Sequence, residues 1–254
     1  MKFGISELSI IPLRKEASNK SEMTNQILFG EHFQIIEHGK EWSKIRLSHD
    51  NYEGWVSNKQ WTEISDDEFE KLNKEVSTIS IDIFDILKNE DTYLPIVIGS
   101  VLPRFKSGHA IINEKMYSFD GLSTQGFVKK NKLIENALIY MNAPYLWGGR
   151  SPLGIDCSGF TQIVYRLQGI NIPRDAYQQA EYGKTIESLN SSSSGDLAFF
   201  SELKNKITHV GILINKNEII HASGRVKVDK ITKDGIINKS GKLTHNLVTI
   251  KNII

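Results

Sequence analysis

The first sixty or so positions alternate apolar and polar residues in short runs, 3–11, 23–29, 32–37, 42–47 and 54–57, separated by turn-forming residues. Five closely spaced strands of this kind predict a small β-barrel. At Ser65 the alternation stops. Asp66, Asp67 and Glu68 follow it, with Phe69 and Leu72 at helical spacing, so a capped short helix leaves the barrel. Strand character returns over 93–102, 109–112 and 115–119, ending in Asp120-Gly121. From Asn131 the period changes again: Leu133, Ile134, Ala137, Leu138 and Met141 mark one face of a helix of about three turns. Serines 191–194 form a solvated loop within this last segment. Further on, 208–214 and 218–222 alternate around Asn215-Lys216-Asn217, which predicts a hairpin.

These changes divide the chain into a β-barrel domain over 1–64, a helix and second, degenerate barrel over 65–130, and a third domain over 131–254. A length of 254 residues accommodates two domains or three small ones. Charge narrows the function classes. With 31 Lys+Arg against 30 Asp+Glu the net charge is +1, so no global field gathers phosphate backbones, and nucleic acid is not an expected partner. The longest apolar run, 93–102, is broken by Pro95 and Gly99 and falls short of the ~20 residues of a spanning helix, so no membrane span is expected. Glu7 and two serines interrupt the opening residues, where a secretory leader needs about 7–15 apolar ones, and a cytoplasmic location is expected. Cys157 is the single cysteine, which excludes an internal disulfide and leaves too few thiolates for a cysteine-based zinc site. Neither metal nor cofactor is called for. A lone thiol is buried filler or a nucleophile.

Two patterns bear on that choice. Gly154-Ile155-Asp156-Cys157-Ser158-Gly159-Phe160 is followed by Val164, Leu167 and Gly169, which puts the thiol in the first turn of a helix ending near Gly169. Unpaired N–H groups and the positive end of the helix dipole favour a thiolate there, and such settings lower a cysteine pKa from about 8.5 to roughly 3.5–7.5. The same pattern also fits Asp156 or Ser158 as a simple cap with Cys157 packed inward. The second pattern is the hairpin. Centred on Asn215, it places His209 opposite His221, and directly opposed residues share a face. A one-residue slip would separate the two rings. His32, His38, His49, His109 and His245 have no such partner in this reading.

Six motifs in order carry a family resemblance: Pro144-Tyr145-Leu146-Trp147-Gly148-Gly149, Asp156-Cys157-Ser158-Gly159-Phe160, Pro173-Arg174-Asp175, Gly195-Asp196-Leu197, His209-Val210-Gly211-Ile212 and Ile220-His221-Ala222. They resemble the successive motifs of the NlpC family of cell-wall cysteine peptidases, over about 131–254. Tyr52-Glu53-Gly54-Trp55-Val56 resembles the closing strand of bacterial SH3-like domains, which precede such peptidases in known arrangements. The resemblance implies an α+β fold, a papain-like domain behind one or two SH3-like barrels. It implies hydrolysis of the γ-D-glutamyl bond to a diamino acid, diaminopimelate or lysine, in short murein-derived peptides with a free N-terminal L-alanine. In a cytoplasmic protein this reaction suits murein recycling.

By the same resemblance Cys157 is the nucleophile, His209 the general base and His221 the residue that orients it. Tyr145 lies near the thiol as an oxyanion donor. Asp156, Ser158, Trp147, Arg174 and Asp175 are candidates for substrate binding, while Asp175 with Gln178 equally fits a capping-box helix start. The family motif often continues Arg-Asp-Ser, whereas Ala176 stands here. In the barrel Glu16, Glu22 and Tyr52 are candidates for reading the substrate amine. Two other functions use the same residues: a catalytically silent wall- or protein-binding module, and acyl transfer from a thioester.

Overall fold

A computed structural model describes residues 2–90, 92–126, 130–201 and 206–254. The chain divides into two compact units, Met1–Gly126 and Phe127–Ile254. Among the described residues no helix is long and apolar enough to cross a membrane.

In the first unit seven strands, β1 (Lys2–Ile5), β2 (Ile10–Arg14), β3 (Met23–Leu28), β4 (His32–His38), β5 (Trp42–Leu47), β6 (Glu53–Ser57) and β7 (Thr62–Ile64), form one antiparallel sheet in the order β3-β2-β6-β5-β4-β1-β7. Alternate positions bury Ile11, Leu13, Ile27, Phe33, Ile45, Leu47 and Val56 in its core. The run expected as one strand over 3–11 is two. Ser6 bonds its hydroxyl to the Leu8 carbonyl, and this local side-chain bond competes with the ladder and turns the chain. Helix α1 (Asp66–Lys74) starts as expected, with the Ser65 side chain accepting from the Glu68 N–H. Beyond it lie β8 (Thr78–Ser80), β9 (Phe84–Lys88), β10 (Tyr93–Val97), β11 (Val101–Leu102), β12 (His109–Ile112), β13 (Lys115–Ser118) and β14 (Ser123–Thr124), in sheets ordered β10-β9-β13-β12 and β11-β8-β14. The apolar run 93–102 breaks at Gly99, whose φ of +90° a side chain would resist. Ile5, Phe29 and Ile64 of the barrel share a core with Leu72 and with Leu87, Ile96, Ile112 and Phe119.

The second unit begins with α2 (Lys130–Ile139). Its buried stripe is Leu133, Ala137 and, just past the helix, Tyr140, while Leu138 and Met141 of the expected face are exposed. Spacings of four and three residues allowed either stripe, and packing chose the one that buries Tyr140. A short hairpin of β15 (Arg150–Ser151) and β16 (Gly154–Ile155) leads into α3 (Cys157–Arg166), then α4 (Ala176–Gln179). The remaining strands are β17 (Lys184–Ile186), β18 (Leu197–Ser201), β19 (His209–Asn215), β20 (Glu218–Ser223), β21 (Arg225–Thr232), β22 (Gly235–Ile237) and β23 (Leu243–Asn252), ordered β17-β23-β18-β19-β20-β21-β22. β23 also pairs with β22, so the sheet from β18 to β22 closes on itself through β23. Ala198, Phe200, Leu213, Ile219, Ile231 and Ile236 form the core of this closed sheet, and α3 packs against β19 and β20.

Candidate active site

Cys157 is the first residue of α3. Asp156 caps the helix from extended backbone (φ −93°, ψ 176°): its Oδ1 accepts from the Gly159 N–H at 2.7 Å and its Oδ2 from the Gly148 N–H at 2.8 Å. Arg174 grips the same carboxylate through Nη1 at 2.9 Å and Nη2 at 2.6 Å, and Nη1 also donates to Ser158 Oγ at 2.9 Å. Asp156, Ser158 and Arg174 are all buried. A bidentate charged pair with two backbone donors added is a rigid arrangement, and it clamps the start of α3 to the loop carrying Gly148. Gly159 is required here, because a Cβ would stand 2.4 Å from the Gly149 carbonyl oxygen.

The thiol itself departs from expectation. Burial first, and the Asp156 charge second, push the Cys157 thiol up to about 12, against the opposing pull of Arg174 and of the Val210 and Ser158 backbone N–H groups at the sulfur. The favourable helix start is present, but removing the sulfur from water outweighs it. A reaction at a thiol raised in this way would need a base to take its proton.

His209, the residue expected as that base, opens β19. The hairpin register differs from the simple one centred on Asn215: Asn215 pairs with Glu218, whereas Leu213 pairs with Ile219 and Ile212 with Ile220. Lys216 and Asn217 are thus the two-residue loop, and an irregularity at Ile214 removes one residue from the count. Without that bulge His209 and His221 would point to opposite faces; with it they share one, two positions out of direct opposition. Gly211 faces His221 across the pair, and a Cβ there would meet His221 Cβ at 2.9 Å. The rings meet at 2.8 Å, His209 Nε2 to His221 Nδ1, with an interplanar angle of 82°.

A third residue, Asp229, which no motif marks, extends this pair. His221 Nε2 lies 3.1 Å from Asp229 Oδ2, and Lys227 Nζ is 3.1 Å from the same oxygen. Burial raises the Asp229 carboxyl, but bonds to His221 and Lys227 outweigh it and leave the group below its usual value. Burial keeps His221 neutral, lowered despite Asp229, and holds His209 well below the ordinary histidine range, with the charges of His221, His245 and Lys227 adding to the effect. These partners assign the tautomers. An ionised Asp229 can only accept, so His221 donates from Nε2 and accepts at Nδ1. His209 then donates from Nε2, which leaves its Nδ1 lone pair free to take a proton. The strand 225–232 carried a usable signal, because Lys227 and Asp229 alternate with Val226 and Val228, and the register His221↔Lys227 puts Asp229 on the histidine face. Asp229→Asn removes the charge that selects this tautomer and is expected to lower kcat about tenfold with KM unchanged, checked by steady-state kinetics.

His245 was expected to stand apart. Instead its ring stacks on His209 with centroids 4.3 Å apart and planes at 28°. Tyr145 bridges to Ile155 and is partly exposed; burial first, then the neighbouring Cys157, raises its hydroxyl. Trp147 is exposed at 58 %. Asp175 opens α4, its backbone N–H donating to Gln178 Oε1 at 3.2 Å, in the capping box that the sequence suggests. Glu16, Glu22 and Tyr52 lie in the first unit, where Glu22 pairs with Lys15 and Tyr52 packs on the barrel core.

A buried cysteine opening a helix against a strand pair with linked histidines coincides with a family match over residues 142–242. These residues form an NlpC/P60 domain. Residues 13–60 match the bacterial dipeptidyl-peptidase SH3 domain. The whole fold is similar to the crystal structure of an NlpC/P60 family protein from Bacillus cereus ATCC 10987, with a TM-score of 0.82, 20 % identity and 99 % of each chain covered. Among curated relatives, the γ-D-glutamyl-L-lysine dipeptidyl-peptidase of Bacillus subtilis is 27 % identical over 78 % of this chain and 71 % of its own. Dipeptidyl-peptidase 6 of Lysinibacillus sphaericus is 26 % identical over 83 % of this chain and 84 % of its own. Both alignments extend well beyond the NlpC/P60 domain.

Proposed function

We propose that this chain is a cysteine peptidase that hydrolyses the bond between γ-D-glutamate and the following diamino acid in short murein peptides with a free N-terminal L-alanine. The observation that carries the reaction type is the chain of partners His209–His221–Asp229, which leaves one imidazole lone pair available on a strand packed against the helix that carries the buried thiol. The substrate class follows the relatives that match across both domains.

In this reading Cys157 attacks the γ-glutamyl carbonyl carbon as its proton passes to His209 Nδ1. Proton transfer and attack are coupled, since neither a free thiolate nor a free imidazolium is stable in so buried a setting. The Cys157 N–H, among the helix N–H groups with no intrahelical acceptor, faces the oxyanion, and the Tyr145 hydroxyl is a second donor. His209 next protonates the departing amine of the diamino acid, leaving a thioester on Cys157. A water, deprotonated by the same ring, resolves it and releases L-Ala-γ-D-Glu. Asp156, Ser158 and Arg174 hold the helix start that aims the sulfur.

The test is incubation with L-Ala-γ-D-Glu-diaminopimelate and with the lysine analogue under reducing conditions, following dipeptide release by mass spectrometry. Release by the wild type and its loss in Cys157→Ala are expected. No turnover of either peptide, or equal turnover in Cys157→Ala, would defeat the reading; transfer products on adding amines would redirect it to acyl transfer.

A further inference from the structure

We propose that His245 is a positioning residue of this centre, which backs the His209 ring by stacking and ties the reactivity of Cys157 to the charge on a third imidazole. The inference rests on the reading of Cys157 and His209 as nucleophile and base. His209 has its Nε2 edge fixed by His221 at 2.8 Å, but an edge contact alone leaves a ring free to rock about that bond. The face contact removes this freedom: His245 lies 4.3 Å away at 28°, and Phe200 touches the same ring at 5.9 Å. His245 is itself held. Its Nδ1 is 2.9 Å from Thr244 Oγ1, its ring meets His221 at 5.8 Å and Phe200 at 6.2 Å, and its residue pairs with Ile236 across β22. The closure of the sheet through β23 is what delivers this residue, more than thirty positions after His209, to the site.

Stacking has an electrostatic consequence. The chemical step places the thiol proton on His209, so positive charge develops on that ring as the sulfur reacts. A proton already on His245, half-buried and in face contact, opposes it. Among the described residues, the titratable and charged groups bearing on the stack include His221 from β20, and Lys227 and Asp229 from β21; β18 and β22 contribute the apolar Phe200 and Ile236. The ring stacked on the face of His209 is His245, and imidazole is the side chain whose charge ordinarily changes near neutral pH. Reactivity is expected to fall as His245 gains its proton, while burial holds His209 well below the ordinary histidine range.

The experiment measures iodoacetamide alkylation of Cys157, the single cysteine, by intact mass between about pH 5 and 9 for the wild type, His245→Phe and His245→Ala, together with kcat and KM on the peptide. His245→Phe keeps a flat ring without a titrating nitrogen. It is expected to match the wild type at about pH 8 and to carry its acid limb about one pH unit lower. His245→Ala loses the backing, and kcat and alkylation at about pH 8 are expected to drop about tenfold with KM unchanged. Superimposable acid limbs for wild type and His245→Phe, or a His245→Ala protein as fast as wild type at about pH 8, overturns the proposal. Failure of the wild type to cleave the peptide would defeat the peptidase reading alone, since alkylation reports on His245 without any substrate.

Discussion

Cys157→Ala is expected to lower kcat by roughly ten-thousand- to million-fold, His209→Ala by a similar factor, and the double variant no further than the slower single one. The physical reason is that the two groups make one reacting unit. A thiol held up at about 12 by burial and by Asp156 has almost no thiolate of its own at neutral pH, so without His209 the sulfur has nowhere to send its proton. Without the sulfur, His209 can only assist water, and the covalent route is closed. His221→Ala belongs to the same unit one step removed. It frees the His209 tautomer and is expected to cost less than either. Steady-state rates on L-Ala-γ-D-Glu-diaminopimelate for all four proteins check this, and losses that multiply in the double variant would mean that Cys157 and His209 act independently.

Arg174→Met is expected to destabilise the fold by about 3–5 kcal/mol and to lower the melting temperature by about 10 °C. Removing the guanidinium leaves the Asp156 carboxylate buried with only the Gly148 and Gly159 N–H groups and the Ser158 hydroxyl around it. An uncompensated buried charge is costly even where the intact pair contributes little net stability. Combining Arg174→Met with Asp156→Leu removes both charges and is expected to restore part of the loss, less the value of the helix cap, about 1 kcal/mol. Calorimetric melts of the three variants measure these differences; an Arg174→Met protein melting within a degree or two of the wild type would show that the clamp carries no such energy. The same substitution lets the start of α3 relax, so it is also expected to reduce kcat, because the clamp fixes the helix start that carries the sulfur.

Much of the site could be read along the chain wherever the determinants are local. Asp156 before Cys157, and the apolar period that follows, announce a helix whose first residue carries the thiol, and α3 begins there. Ser65 with its acids and Asp175 with Gln178 are helix starts of the same local kind, and both caps form. The shared face of His209 and His221 followed from alternation, yet only just. The register differs by two positions from the one that alternation and a centred turn suggest, and a bulge at Ile214 keeps the parity even. Nothing in the hairpin's alternation marks that bulge.

What the order of residues determined by itself is the inventory and its local posture: a helix-borne thiol, two histidines on one ribbon face, and the barrel in front. Tertiary structure decided the rest, for two reasons. Desolvation depends on everything packed around a group, so the sulfur that looked acidic at a helix start is driven the other way once buried. Contacts between distant strands depend on how the sheet closes, so Asp229 behind His221 and His245 against the face of His209 become visible only when β21 and β23 take their places beside β20 and β18.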